Sequence, residues 1–235
     1  MDGASGRVLA RDERPTRPER GGKAVVSDCA ELALALGGGE VPVGVGLCEL
    51  VDLDGRPDSA DTIDWRGLDV AAAIPAPSVA LESDVRAAAL AEAVYGAGVG
   101  RSPFLYVVVG TGASACLVVD GEPYAGARGR AIVLGAPPVE LVASGWALER
   151  GVSVDDAVVA LGSVLAGLVN ALDPLVVVVG GGLGGNASFR ERVAEVVHAS
   201  IAYPPVPALE ILGSSLGADG GVVGAALVAL RESRS

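Results

Sequence analysis

Cysteine, histidine, lysine and aromatic side chains are all scarce in this chain, and each shortage excludes something. Cys29, Cys48 and Cys116 are odd in number and far apart. Without a Cys-x-x-Cys pair, neither a disulfide framework nor a structural zinc site is encoded. His198 is the single histidine, and no cysteine or second histidine is placed to share a metal with it. Lys23 is the single lysine; the other basic residues are Arg. That bias, with abundant Ala, Val and Gly, reflects base composition rather than function. Positive charge is itself short, the formal net charge being −12. A general binder of nucleic acid or of an acidic membrane surface needs the opposite sign. The one basic cluster, Arg7 to Lys23, is interleaved with Asp12, Glu13 and Glu19 and reads as a solvated edge. No signal-peptide pattern follows Met1. The longest apolar runs are broken by Asn170, Asp173 and Pro174, too soon for a bilayer. The expectation is a cytoplasmic protein with no nucleic-acid and no membrane partner.

What is present suffices for a core. Hydrophobic residues make up 51% of 235, a length between one domain and two. The 34 Gly and 14 Pro are spread along the chain, so neither a collagen repeat nor a disordered tract fits. Patterning predicts strands at 7–10, 41–47, 79–81, 104–109, 115–119, 175–179 and 209–212. It predicts helices at 23–36, 84–95, 139–150, 154–172, 188–202 and 221–231. Asp52 to Asp69 is turn-rich, Glu122 to Ala136 is loop-like or weakly stranded, and Asp120-Gly121 marks a hairpin. Alternating strands and helices argue an α/β fold with a largely parallel sheet. The hairpin in the middle suggests a second sheet, and so two lobes divided near Ser102.

Two glycine loops stand at strand ends. Gly110-Thr111-Gly112-Ala113-Ser114 joins two strands, where backbone N–H groups and hydroxyls can approach a phosphate. The plainer reading is a glycine hairpin turn. Gly180 to Gly185 follows a buried strand, precedes a helix and matches G-x-G-x-x-G, with Glu210 on the next strand. It comes too late in the chain for a full dinucleotide fold, which leaves a nucleotide-facing loop of another fold. Gly213 to Gly217 matches G-x-S-x-G, but a serine hydrolase needs its histidine after the serine, and His198 precedes it. A P-loop ending at Gly22-Lys23 fails because Arg17 occupies its first glycine position. Ser83 and Asp84 open a helix. Either could cap it, or Asp84 could serve as a general base toward a substrate hydroxyl.

Together these segments resemble the ROK family of bacterial sugar kinases and sugar-responsive repressors. Leu81-Glu82-Ser83-Asp84-Val85-Arg86 through Glu92 resembles the family's Val-Glu-Asn-Asp-Ala-Asn-Ala-Ala-Ala-Leu-Gly-Glu stretch, whose catalytic aspartate falls on Asp84. Gly110-Thr111-Gly112, with Val118 to Gly121, resembles its second phosphate loop and hairpin. Glu140 to Leu148 is similar to its Ala-Ser-Gly-x-Ala-Leu segment, and Asn170 to Gly182 to its adenosine region. The resemblance implies an actin-like ATPase (ribonuclease H-like) two-lobed fold. Ser83 and Asp84 would meet substrate; Gly110, Thr111, Gly112, Gly180, Gly181 and Gly182 would meet nucleotide.

The departures carry equal weight. The family's opening Asp-x-Gly-Gly-Thr strand has no counterpart in these residues, and Arg7 to Thr16 resembles its third strand. The expected division is a truncated first lobe, 1–102, and a second lobe, 103–235, with the closing helix free to return to the first. The family contacts sugar through a Glu and a His, replaced here by Val133 and Ala136. The cysteine-rich zinc loop is deleted, so no zinc is expected. Cys48-Glu49 stands for Pro-Gly after the fourth strand. The resulting expectation is a degenerate sugar-kinase-like protein, a pseudokinase with hexose phosphorylation lost or reduced, that binds or regulates through a sugar-like small molecule. The alternative is an active kinase using ATP and Mg2+ on a cyclitol or other sugar-like hydroxyl. The small-residue helix 221–230 favours a homodimer. The edge of strand 41–47 is expected to be repaired by Arg7–Ala10 or a partner chain, or to leave the lobe poorly ordered.

Overall fold

The computed structural model describes residues 1–132, 143–203 and 208–234. Two compact units emerge, each with its own sheet. The first comprises Met1–Ala91, Ala125–Arg130 and Asp219–Ser235; the second comprises Glu92–Tyr124 and Ala131–Ala218.

In the first unit, β1 (Val43–Leu47) and β2 (Val79–Ser83) pair in parallel, Val43 against Val79 through Leu47 against Ser83. Helices α1 (Gly22–Ala35) and α2 (Val70–Ala73) add Val25, Val26 and Val70 to a core with Leu47, Val51, Ile63, Trp65 and Ile74. Asp69 caps α2, its carboxylate accepting from Ala72 N. Helix α3 (Asp84–Tyr95) starts directly from β2.

Arg7–Ala10 is not a strand, and among the described residues β1 pairs only with β2. Arg11 instead pairs with Asp219, and Arg14 with Glu31, while Leu9 stays 61% exposed. Three short apolar residues between charged neighbours gain less from a ladder than their flanks gain from ion pairs and water. The proposed repair of the β1 edge by Arg7–Ala10 is therefore overturned.

The second unit holds a five-stranded sheet in the order β5-β4-β3-β6-β7. Its strands are β3 (Phe104–Val109), β4 (Ala113–Val119), β5 (Glu122–Pro123), β6 (Val176–Gly180) and β7 (Glu210–Gly213). The β3–β4 pair is antiparallel; β3, β6 and β7 run parallel. β6 is buried along its whole length, as an unbroken Val run requires when both sheet faces are covered. Helices α4 (Gly145–Glu149), α5 (Val154–Leu172), α6 (Gly181–Gly184) and α7 (Ala187–Ser200) complete the unit. Ser144, Ser153 and Asn186 cap α4, α5 and α7 through bonds from Ala147 N, Asp156 N and Phe189 N. Of the helix predicted over 139–150, residues 139–142 lie outside the described residues, and α4 occupies Gly145–Glu149.

By length and mean hydropathy (1.5 over its richest stretch) α5 could cross a bilayer, against the sequence expectation. Its apolar face has another use here. Leu161 and Leu165 are fully buried, packed with Val193 and Val197 of α7 and Val177 and Val179 of β6 in one core.

The closing helix α8 (Gly220–Glu232) returns to the first unit and packs on β1. A Cβ on Gly44 would sit 1.8 Å from Ala225 O, and one on Gly224 would sit 1.7 Å from Ala87 O. Gly224 and Ala225 of the small-residue helix thus make an internal backbone contact, while a Cβ on Gly221 would meet nothing within 4 Å.

Candidate functional site

β2 ends where α3 begins, and the junction divides labour between two neighbours. Ser83 is fully buried, and its Oγ accepts from Arg86 N at 3.3 Å, the bond of an N-cap. Asp84 is thereby freed from capping. The residue is exposed, and its Oδ1 accepts from the adjacent Val85 N at 2.8 Å. Surrounding protein still withdraws enough water to push the Asp84 carboxyl up; bonds from Val85 N and its own N oppose that rise, and the Glu49 charge adds to it. The end of β1 lies alongside, since a Cβ on Gly46 would be 3.7 Å from Asp84 Cα. The Cys48 thiol is also pushed up, by burial first and then by the charges of Glu49 and Asp84.

Glu49 is the residue that sequence reasoning passed over as a mere departure from Pro-Gly. It is 3% exposed. One carboxylate oxygen accepts from Ser59 Oγ and from Asp61 N at 2.9 Å; the other accepts from Thr62 N at 2.6 Å and Ile63 N at 2.8 Å. Burial pushes this carboxyl up, yet the four bonds outweigh it and hold Glu49 below its ordinary value. A depressed carboxyl stabilises above its unfolded value of 4.5 and loses that contribution as pH falls through the folded value. Glu49→Gln turns one acceptor into an amide donor facing donors. It should cost the first unit about 2–4 kcal/mol at pH 7. Thermal unfolding should show that gap close as the medium is acidified and wild type protonates; a gap constant with pH would reject this role.

In the second unit the glycine loops gather at one end of the parallel strands. Gly110–Gly112 follows β3, Gly180–Gly182 follows β6, and Ser214–Gly217 follows β7. The first two adjoin: Gly181 has φ +83°, and a Cβ there would lie 2.4 Å from Val109 O. Gly145 N donates to Gly110 O at 2.7 Å, fixing that turn from the start of α4. A Cβ on Gly110 or Gly182 would meet nothing within 4 Å, so their backbone is open to approach. This is the end of a parallel sheet where ligands bind in α/β folds. Glu210 lies at the opposite end, paired with Val176 and 3.5 Å from Arg101, so it cannot serve as the ribose acid of a dinucleotide loop.

The G-x-S-x-G match has a structural explanation. Glu92, fully buried, accepts from Ser214 Oγ at 2.5 Å, Leu216 N at 3.0 Å, Ser215 N at 3.3 Å and Ala97 N at 2.7 Å. Ser214 Oγ in turn accepts from Gly217 N. His198 Nε2 meets Leu209 O at 2.8 Å. Ser214 and Glu92 lock the loop after β7; Ser215, the serine of the match, is exposed and held there through its N, while the single histidine is engaged by Leu209 O. Among the described residues no three His, Cys, Asp or Glu side chains converge as a metal site. Val133 and Ala136, where the sugar-contacting Glu and His were expected to be lost, lie outside the described residues.

The chain is similar to known proteins in sequence and in fold. The chain is 32% identical over 196 residues to the bifunctional enzyme NanE/NanK of Brucella melitensis, covering 68% of this chain and 36% of that protein. It therefore spans about a third of that relative's length. It is 26% identical to the glucokinase of Thermotoga maritima, with 95% of this chain and 90% of that one covered. In fold it is similar to a ROK family glucokinase from Streptomyces griseus solved with glucose and AMPPNP: TM-score 0.77, 22% identity, 96% and 93% of the two chains. ROK sugar kinases have the actin-like ATPase fold, and this α/β chain shares it. The ROK family model matches residues 3–144 and 149–232, and the chain belongs to that family.

Proposed function

We propose that this protein binds a sugar-like small molecule on a sugar-kinase scaffold, with ordinary hexose phosphorylation lost or reduced. The observation that carries the reading is the split at the head of α3: Ser83 caps, and Asp84 keeps an exposed carboxylate. A carboxylate so placed accepts from a polyol hydroxyl. The loss of transfer rests on Val133 and Ala136, which cannot hydrogen-bond sugar hydroxyls. Each unmade bond in a buried polar site weakens binding by roughly 1–3 kcal/mol. Phosphoryl transfer depends on positioning, so looseness at the acceptor costs rate as well as affinity.

The second unit would hold ATP and Mg2+ through the loops of Gly110, Thr111 and Gly112 and of Gly180, Gly181 and Gly182, where Gly110 and Gly182 leave the backbone open to approach. The bound nucleotide would supply the phosphoryl group and the metal its charge neutralisation. The chain's own part is to present N–H groups without side-chain obstruction. Gly182→Ala places a methyl in open space. Stability should hold or rise by up to about 1 kcal/mol, while calorimetric titration with ATP and Mg2+ shows affinity down by about tenfold. Unchanged affinity would remove the loop from the nucleotide site.

A second reading, an active kinase on a cyclitol or less polar sugar-like acceptor, is favoured by one observation. The raised Asp84 carboxyl is a better proton acceptor than an ordinary aspartate.

A further inference from the structure

Arg86 lies one residue beyond the Ser83-Asp84-Val85 start of α3 and is 3% exposed. Its guanidinium is consumed from three sides. Nε donates to Glu82 Oε1 at 2.7 Å, with Nη2 on the same oxygen at 2.5 Å. Nη2 also donates to Val51 O at 2.7 Å, and Nη1 to Gly129 O at 2.6 Å. Those carbonyls belong to two separate loops, the one leaving β1 and the 125–130 segment. The loops touch each other at the same point: Gly129 has φ +75°, and a Cβ there would lie 2.3 Å from Val51 O. Arg130 then reaches back to Asp58 at 2.7 and 2.9 Å.

We propose that Arg86 is a positioning residue for the Asp84 site, a buried brace that holds both loops against the helix carrying Asp84. The loop leaving β1 includes Glu49, whose charge Asp84 feels and whose four bonds order residues 59–63. Fixing Val51 therefore fixes the wall beside Asp84. The matching ROK stretch carries Asn at this position, and a short amide cannot span both carbonyls and Glu82. Only Arg offers a planar fork with enough donors; Lys would keep the charge opposite Glu82 and lose the simultaneous reach. Glu82 meanwhile neutralises the cation, so the brace adds no net positive charge beside the carboxylates.

The inference rests on the reading of Asp84 as ligand-facing, and its test separates the two. Arg86→Met, Arg86→Lys and Asp84→Asn are compared with wild type by amide hydrogen exchange and by calorimetry with glucose and N-acetylmannosamine as probes. In Arg86→Met, peptides covering 49–58 and 125–131 should exchange at least about tenfold faster, with α5 and the β3–β6 pair unchanged. Arg86→Lys, which keeps Glu82 paired and the fold intact, should fall between. Probe affinity should drop about tenfold in Arg86→Met and recover in part with Lys. Asp84→Asn should weaken the probe with no change in exchange. Unchanged protection of both loops in Arg86→Met, or equal loosening of the whole first unit in both Arg86 variants, overturns the brace. If wild type binds neither probe, or if Asp84→Asn binds as well as wild type, the Asp84 reading fails, and the exchange pattern still decides the brace.

Discussion

Asp84→Asn is expected to lower any phosphoryl transfer the protein retains by at least about 100-fold, the usual contribution of a general base. The fold should survive, because the cap of α3 is Ser83 and stays in place. The same variant should be more thermostable than wild type at neutral pH. A carboxyl whose folded value is raised stabilises fully below its unfolded value of 3.8, and that contribution is lost as pH rises through the folded value. Above it, wild type carries a partly desolvated carboxylate beside Glu49, and the amide does not. The advantage of Asn should therefore shrink toward zero as pH falls below 3.8. A group kept charged at a cost in stability is the mark of a functional position. A variant less stable than wild type at pH 7, with transfer unaffected, would make Asp84 an ordinary helix-start residue.

Gly224→Val should be the most destabilising single change in the first unit. The added Cβ would stand 1.7 Å from Ala87 O and 2.2 Å from its carbon, both backbone atoms that no rotamer change can move. Helix α8 would have to lift from α3 and β1. Overpacking against backbone costs about 3 kcal/mol or more. Gly44→Val should behave alike, its Cβ falling 1.8 Å from Ala225 O. Gly221→Ala, on the same helix with nothing within 4 Å, is the matched control and should be neutral. Chemical denaturation of the three variants checks this; equal midpoints would mean that α8 does not seat on β1.

Several elements were legible in the sequence because their signals are local. The helices 84–95 and 154–172 follow from periodicity, a good start and a clear stop, and the structure has both with those limits. The Val run of β6 reads directly as a strand buried on two faces. The ROK stretch around Asp84 is legible as a motif, and with it the actin-like fold. Arg7–Ala10 misled because a brief apolar run and a resemblance to a family strand both suggested pairing that its charged flanks do not favour. Glu49, Arg86 and Glu92 were missed for one physical cause. Their partners are mostly backbone groups distant in sequence, 35 and 43 residues away in the case of Arg86. Side-chain type carries no trace of such bonds. The available signal was weak but real: a lone charge flanked by apolar residues, as in Leu47-Cys48-Glu49-Leu50-Val51, or Glu92 after Ala88-Ala89-Leu90-Ala91. Charges there are buried only when paired.

These buried charges also bear on function. The first unit spends Glu49 and Arg86 on holding loops beside Asp84, more order than an idle surface needs. On the proposed reading, a preformed surface lowers the ordering cost of binding, while the missing polar contacts weaken it and would leave an acceptor hydroxyl poorly positioned for phosphoryl transfer. The most direct test sets binding against turnover on one sample. Calorimetric titration with a panel of hexoses, N-acetylhexosamines and cyclitols, with ATP and Mg2+ present, is run beside a coupled kinase assay on the same panel. Saturable binding of a sugar-like probe that Asp84→Asn weakens, with hexose turnover absent or barely above background, is the predicted result. Robust, Asp84-dependent phosphorylation of a hexose such as glucose would contradict it.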